Sequence, residues 1–155
     1  MGSFGSKASD VKGQHEGSSM SIQLNIEPLL NAVQRLDEGL HRYLRDKDDI
    51  QIRDGLVQRF EFTYELTHKT LKRFLSMTAS SSADADQMTF SELIRTGNAQ
   101  GLLSADWAVW KGFREMRGST SHAYDERIAL KVVAEIPAFL QEAKFFVQQL
   151  QLRLQ

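Results

Sequence analysis

Arg117, His122 and Tyr124 fall within eight residues, RGSTSHAY, the part of this chain best equipped for chemistry. A histidine with its ordinary pKa near 6.5 exchanges protons at cellular pH. An arginine keeps its charge and presents a planar fork that matches phosphate. Together they suit acid–base chemistry on a phosphate group. The apolar series Trp107, Trp110, Phe113, Met116 precedes the motif, and Ile128, Val132, Ile136, Phe139, Leu140 follows it. Each repeats at helical spacing, so the motif is expected in the joint between two amphipathic helices. In one unbroken helix, five steps of about 100° would leave Arg117 and His122 roughly 140° apart and unable to share a pocket. Gly118 is expected to supply the break, as a left-handed residue past a helix end, with Ser119, Thr120 and Ser121 favouring turns.

The rest of the chain must position that joint. Leu29, Leu30, Val33, Leu36, Leu40, Tyr43 and Leu44 predict a first helix ending near Leu44. After RDKDD, the series Ile52, Leu56, Phe60, Tyr64, Leu71, Phe74, Leu75 predicts a long second helix ending near Ser76. The polar run SMTASSSADADQM is a loop, and Thr89 with Glu92 three residues on forms a capping box for a short third helix closed by Gly97 and Asn98. Ser104 is the expected N-cap of the fourth helix. The fifth runs from Asp125 to about Leu152, with Pro137 expected to kink it. No strand pattern competes, so the fold class is an all-α antiparallel up-and-down bundle of about five helices.

RGSTSHAYDERIA (117–129), RDGLVQRFEFTYELTHKTLKRFL (53–75) and FSELIRTGNAQGLL (90–103) together resemble the HEPN superfamily. The likeness covers roughly Ile22 to Leu152. It is closest to the nucleotidyltransferase substrate-binding branch that includes HepT-type toxins. The resemblance implies a homodimer in which Arg117 and His122 of both copies line one cleft and cleave RNA without a metal. RNA brings its own nucleophile, the 2′-OH, so the protein has only to align it, move protons and stabilise phosphate charge. The free N–H groups where the fifth helix begins would favour that phosphate. Ser119, Ser121, Glu65 and Lys69 are the expected substrate-binding or cleft residues.

The resemblance also implies a toxin–antitoxin pair, with a separately encoded minimal nucleotidyltransferase as partner, and makes Tyr124 a candidate for modification by AMP. One departure stands out. The residue after the motif arginine is commonly Asn, Asp or His in this superfamily, and here it is Gly118. The alternative is therefore a non-catalytic subunit that binds a nucleotide or polynucleotide for the transferase.

Other patterns have plainer readings. Glu65-Leu-Thr-His68 is one ExxH step, whereas a di-iron bundle site needs two, so no metal or other cofactor is expected. His68 is expected at the surface or in packing. Asp84-Ala-Asp86 resembles the magnesium-holding carboxylates of a nucleotidyltransferase, but lies in a helical protein's loop without the upstream strand. Trp107, Trp110 and Phe113 have the helical spacing of packing residues, in the core or a dimer interface, not of a base-stacking surface. Most charges on the second helix are expected to be solvated, with Glu61 and Glu65 a mildly repulsive pair.

Composition sets the limits. The 155 residues, 41% of them hydrophobic, suffice for one domain with a core. No cysteine is present, which excludes a disulfide scaffold and fits a reducing compartment. No apolar run approaches the roughly 20 residues needed to cross a bilayer, so no membrane contact is expected and the cytoplasm is the expected location. Residues 1–20, rich in Gly and Ser, are read as a vector-derived leader, and residues 21–155 as the single helical domain. The net charge of −1 argues against bulk electrostatic coating of nucleic acid. Any RNA contact has to be focused.

Overall fold

The computed structural model describes residues 24–79 and 85–155. The leader, and Asp84 of the Asp84/Asp86 pair, lie outside them. Five helices follow in order: α1 (Glu27–Arg45), α2 (Ile50–Thr78), α3 (Phe90–Ala99), α4 (Trp107–Ser119) and α5 (Glu126–Arg153). A short 3₁₀ turn, Thr120–His122, joins α4 to α5. No strand occurs among the described residues, and the expected all-α bundle is the fold found.

Local chemistry explains the starts. The Asp49 carboxylate accepts from Ile52 N–H at 3.1 Å and Asp106 from Val109 N–H at 3.2 Å, each satisfying one orphan donor of a first turn. Thr89 and Glu92 form the anticipated capping box. Pro28 sits in the first turn of α1, where its missing N–H costs nothing. Two boundary expectations are corrected. Asp106, not Ser104, caps α4, because the Ser104 hydroxyl is turned inward to Glu142. Gly97 lies inside α3, where a β-carbon would come within 3.0 Å of Leu103, and the turn falls at Gly101, which has φ +77°. The helix α5 continues through Pro137 without ending there.

The long helices α1, α2 and α5 pack on one another, with α4 set against α2 and α5 and α3 against α2 and α4. Leu29, Val33, Leu36 and Leu40 of α1 meet Leu56, Phe60 and Leu71 of α2 and Ile136, Leu140 and Phe146 of α5 in one core. Burial of each such side chain contributes about 1.5–3 kcal/mol. Trp110, Phe113, Phe60, Tyr64 and Phe139 form an aromatic knot where α4 crosses α2 and α5. The tryptophan stripe is thus packing, as its spacing predicts. None of the described helices is long and apolar enough to cross a membrane.

Candidate functional site

The knot fixes α4 rotationally, and with it the end from which Arg117 projects. Met116 is buried in the core, while Arg117, one residue on, turns toward α2 and is half-buried. Its Nε donates to Glu65 Oε2 at 2.9 Å. Its Nη1 donates to the Thr120 hydroxyl at 3.1 Å and lies 3.3 Å from Glu61 Oε2. The Thr120 oxygen is in turn 2.8 Å from Glu61 Oε2 and 2.8 Å from the Arg117 carbonyl, and its one proton serves either acceptor. Two nitrogens of the guanidinium are therefore held from α2 and from the 3₁₀ turn. The other, Nη2, has no protein partner among the described residues.

The motif does not break at Gly118. That residue lies inside α4 with an ordinary helical φ, and the one positive-φ glycine among the described residues is Gly101. The chain instead tightens into the 3₁₀ turn, whose geometry changes the angular step enough to carry His122 off the α4 spiral. Serine side chains fasten the tightening. Ser119 Oγ donates to Met116 O at 2.9 Å and Ser121 Oγ to Gly118 O at 3.3 Å.

His122 ends the turn with its ring exposed and without a hydrogen bond among the described residues. Its nearest aromatic neighbour is Tyr124, edge-on at 6.2 Å between centroids. Tyr124 is 86% exposed. The start of α5, read from sequence as a dock for phosphate, is occupied by its own carboxylate: Asp125 accepts from Arg127 N–H at 2.9 Å, and Glu126 adds a second negative charge. An anion is disfavoured there.

The structure therefore brings Glu65 to Arg117, with Ser119 and Ser121 in the same turn as His122. It does not bring Arg117 and His122 of one copy into contact. Lys69, one turn beyond Glu65, faces a different groove with Lys72 and Arg73. Glu61 and Thr120 are the site residues that sequence reasoning missed. Glu61 carried a usable signal, because it repeats Glu65 at i−4 and so marks one acidic face of α2. His68 is a packing residue, edge-on to Phe90 at 4.9 Å. Burial holds its pKa below the ordinary value; Glu65 opposes this while Lys72 and Arg114 add to it. Tyr64, beneath the clamp, has its phenol pushed up to about 12, chiefly by burial.

Residues 24–152 match the family described as nucleotidyltransferase substrate binding protein like. The chain belongs to that family. It is also 40% identical over 101 residues to the "Probable ribonuclease HepT" of Haemophilus influenzae, an alignment covering 65% of this chain and 68% of that one. A solved Haemophilus influenzae structure, described as having the fold of a substrate binding domain of a nucleotidyltransferase, superposes with a TM-score of 0.76 at 32% identity. It covers 82% of this chain and 99% of its own. The HEPN-type resemblance of the sequence and the helical fold it implies both hold for this member of the family.

Proposed function

We propose that this protein is a metal-independent endoribonuclease, the toxin of a pair whose other member is a minimal nucleotidyltransferase. The observation that carries the reading is the Arg117 clamp. Glu61, Glu65 and Thr120 give Arg117 the fixed orientation that the absent side chain at Gly118 would otherwise supply, and leave one face of its fork open. A preorganised cation at a scissile phosphate stabilises the charge that develops during transfer. His122, exposed and unengaged, takes the proton of the 2′-OH or delivers one to the leaving 5′-oxygen. The products are a 2′,3′-cyclic phosphate and a free 5′-hydroxyl.

One histidine cannot perform both proton transfers at once. A homodimer that apposes two copies of the motif supplies the second His122 and the second Arg117 to one cleft, in the cytoplasm. Tyr124, which projects into solvent two residues from His122, is placed to receive AMP from the transferase, and a nucleotide there would block the cleft. Ser119 and Ser121 line its floor. Lys69 lies away from it and serves the flanking strand.

The test is cleavage of a panel of RNAs in EDTA by wild-type protein, Arg117→Ala and His122→Ala, with the mass of each confirmed in solution. Loss of cleavage by about 100-fold or more in both variants is expected. Absence of cleavage by wild-type protein free of AMP would sink the toxin reading. The second reading, a binding subunit for the transferase, is favoured by one observation: two carboxylates outnumber the single arginine they hold. In that case His122→Ala weakens nucleotide binding and no RNA is cut.

A further inference from the structure

Phe62 is 61% exposed in the middle of α2, one residue after Glu61, and its ring separates two grooves. The first, of about 210 Å³, is bordered by Gln58, Glu61, Glu65 and Arg117. The second, of about 200 Å³, runs between α1 and α2 over Pro28, Ala32 and Leu66, with Arg35 and Arg59 at its edge. Among the described residues neither of these arginines is in an ion pair. Arg59 Nη1 donates to the Arg35 carbonyl at 2.7 Å, which holds its guanidinium across α1 and leaves its other nitrogens without a side-chain partner among the described residues.

From this arrangement we infer that Phe62 is a base-stacking platform, and that a single RNA strand crosses it from Arg117 into the groove between α1 and α2. The inference rests on the ribonuclease reading and adds to it the path of the substrate. The phosphate at the reacting position meets the open Nη2 of Arg117. The adjoining base lies on the Phe62 ring, and the next phosphate is met by Arg35 and Arg59. A lone aromatic face bounded by unpaired cations is how single-stranded nucleic acid is held without sequence readout.

A protein partner fits the same surface poorly. Stable protein interfaces have an apolar centre depleted of charge. Here no other exposed large apolar side chain among the described residues lines either groove, and six of the bordering residues are Arg, Glu or Gln. The strand also explains how a chain of net charge −1 can hold RNA. The carboxylates Glu61 and Glu65 are spent on Arg117, while the cations beyond Phe62 remain available. The attraction is local and lies to one side of the clamp.

The experiment is binding of a short, uncleavable 2′-O-methyl RNA, followed by fluorescence anisotropy across a salt series, with the mass of each protein measured by light scattering. Wild type, Phe62→Ala, Phe62→Trp, Phe62→Leu, Arg35→Ala and Arg117→Ala are compared. Phe62→Ala is expected to weaken binding by about 10-fold, Phe62→Trp to restore it, and Arg35→Ala to reduce the salt slope by about 0.7. No binding by wild-type protein would remove the nucleic-acid reading as a whole. Binding that Arg117→Ala weakens but Phe62→Ala leaves unchanged would overturn the platform alone. If Phe62→Ala changes the mass and Phe62→Leu restores both mass and binding, the ring is a contact between copies and the platform is likewise overturned.

Discussion

The two ends of α4 are both tied to a neighbouring helix through carboxylates, and they differ in what water can reach. At the N-terminal end, Glu142 of α5 is 3% exposed and accepts from Trp110 Nε1 at 2.9 Å, from Ala105 N–H at 3.0 Å and from the Ser104 hydroxyl. Each donor is matched, and no group is left over for a ligand. At the C-terminal end, Arg117 is held by Glu61, Glu65 and Thr120, yet its side chain is 31% and that of Glu65 49% exposed. One network, whose carboxylate is satisfied and kept from water with the Trp110 indole, locks the helix in place. The other is ordered, wet and incomplete, and it is the one able to bind something.

Breaking the dry end has the largest effect on stability. Glu142→Ala leaves the buried indole N–H of Trp110 without an acceptor and takes the partner from a half-buried backbone N–H and an exposed hydroxyl that water can reach, which costs about 2–3 kcal/mol. Glu142→Gln keeps one oxygen but turns an N–H₂ toward a donor, and falls between. Urea denaturation measures both, with cleavage per folded molecule expected to stay near wild type. Comparable stability in Glu142→Ala and wild type would mean that the network does not anchor α4.

The wet end should respond the other way round. Arg117→Ala is expected to change stability by about 1 kcal/mol or less, because exposed ion pairs contribute little. The same substitution should remove cleavage. Glu61→Gln with Glu65→Gln loosens the orientation of Arg117 without removing it. The expected signature is a fall in kcat larger than any change in KM, with an unchanged urea midpoint to within that 1 kcal/mol. A double variant with wild-type kcat would show that the carboxylates do not position the arginine.

Gly118 sharpens the comparison at smaller scale. Its helical φ, and the absence of any atom within 4 Å of a β-carbon placed there, make Gly118→Ala stabilising by about 0.5–1 kcal/mol. A left-handed glycine at that position would give the opposite sign. Thermal unfolding decides between them. The same open space admits Gly118→Asn, one of the side chains the HEPN resemblance leads one to expect there, so its effect on cleavage measures how far the clamp already does that residue's work.

The contrast also explains what could be read from sequence. Helix positions followed from apolar spacing because each helix buries one stripe, and the capping box at Thr89 followed from two side chains three residues apart. Glu142 was also within reach: it lies three residues after Phe139 and four before Phe146, on the buried stripe of α5. The clamp was not. Glu61 and Glu65 each lie more than 50 residues from Arg117, and their meeting with it depends on how α2 and α4 are rotated about the aromatic knot. Spacing within either helix does not encode that rotation. The misplaced break at Gly118 has a related cause, since glycine permits a left-handed turn but does not impose one, and hydroxyls of Ser119, Thr120 and Ser121 bonding back to carbonyls support the 3₁₀ path instead.

The smallest effect expected is in the pH dependence around His68, which lies on α2 between the two ends. Burial holds the folded pKa of His68 below its ordinary 6.5. Well above pH 6.5 both folded and unfolded forms are neutral there, and the group contributes no slope. As pH falls from 6.5 toward the folded value, the unfolded chain takes up a proton that the folded one refuses, so stability declines across that window. His68→Phe keeps an edge contact with Phe90 and removes the proton, and its urea midpoint should fall less than wild type's between pH 7.5 and 5.5. Parallel declines would mean that His68 is not held neutral. Glu65 connects this residue to the clamp, because its charge raises the His68 pKa against burial. Glu65→Gln should therefore push the folded value lower and extend the decline to more acidic pH. A histidine tuned partly by the same carboxylate that holds Arg117 would report, through stability alone, whether that carboxylate is charged in the folded protein.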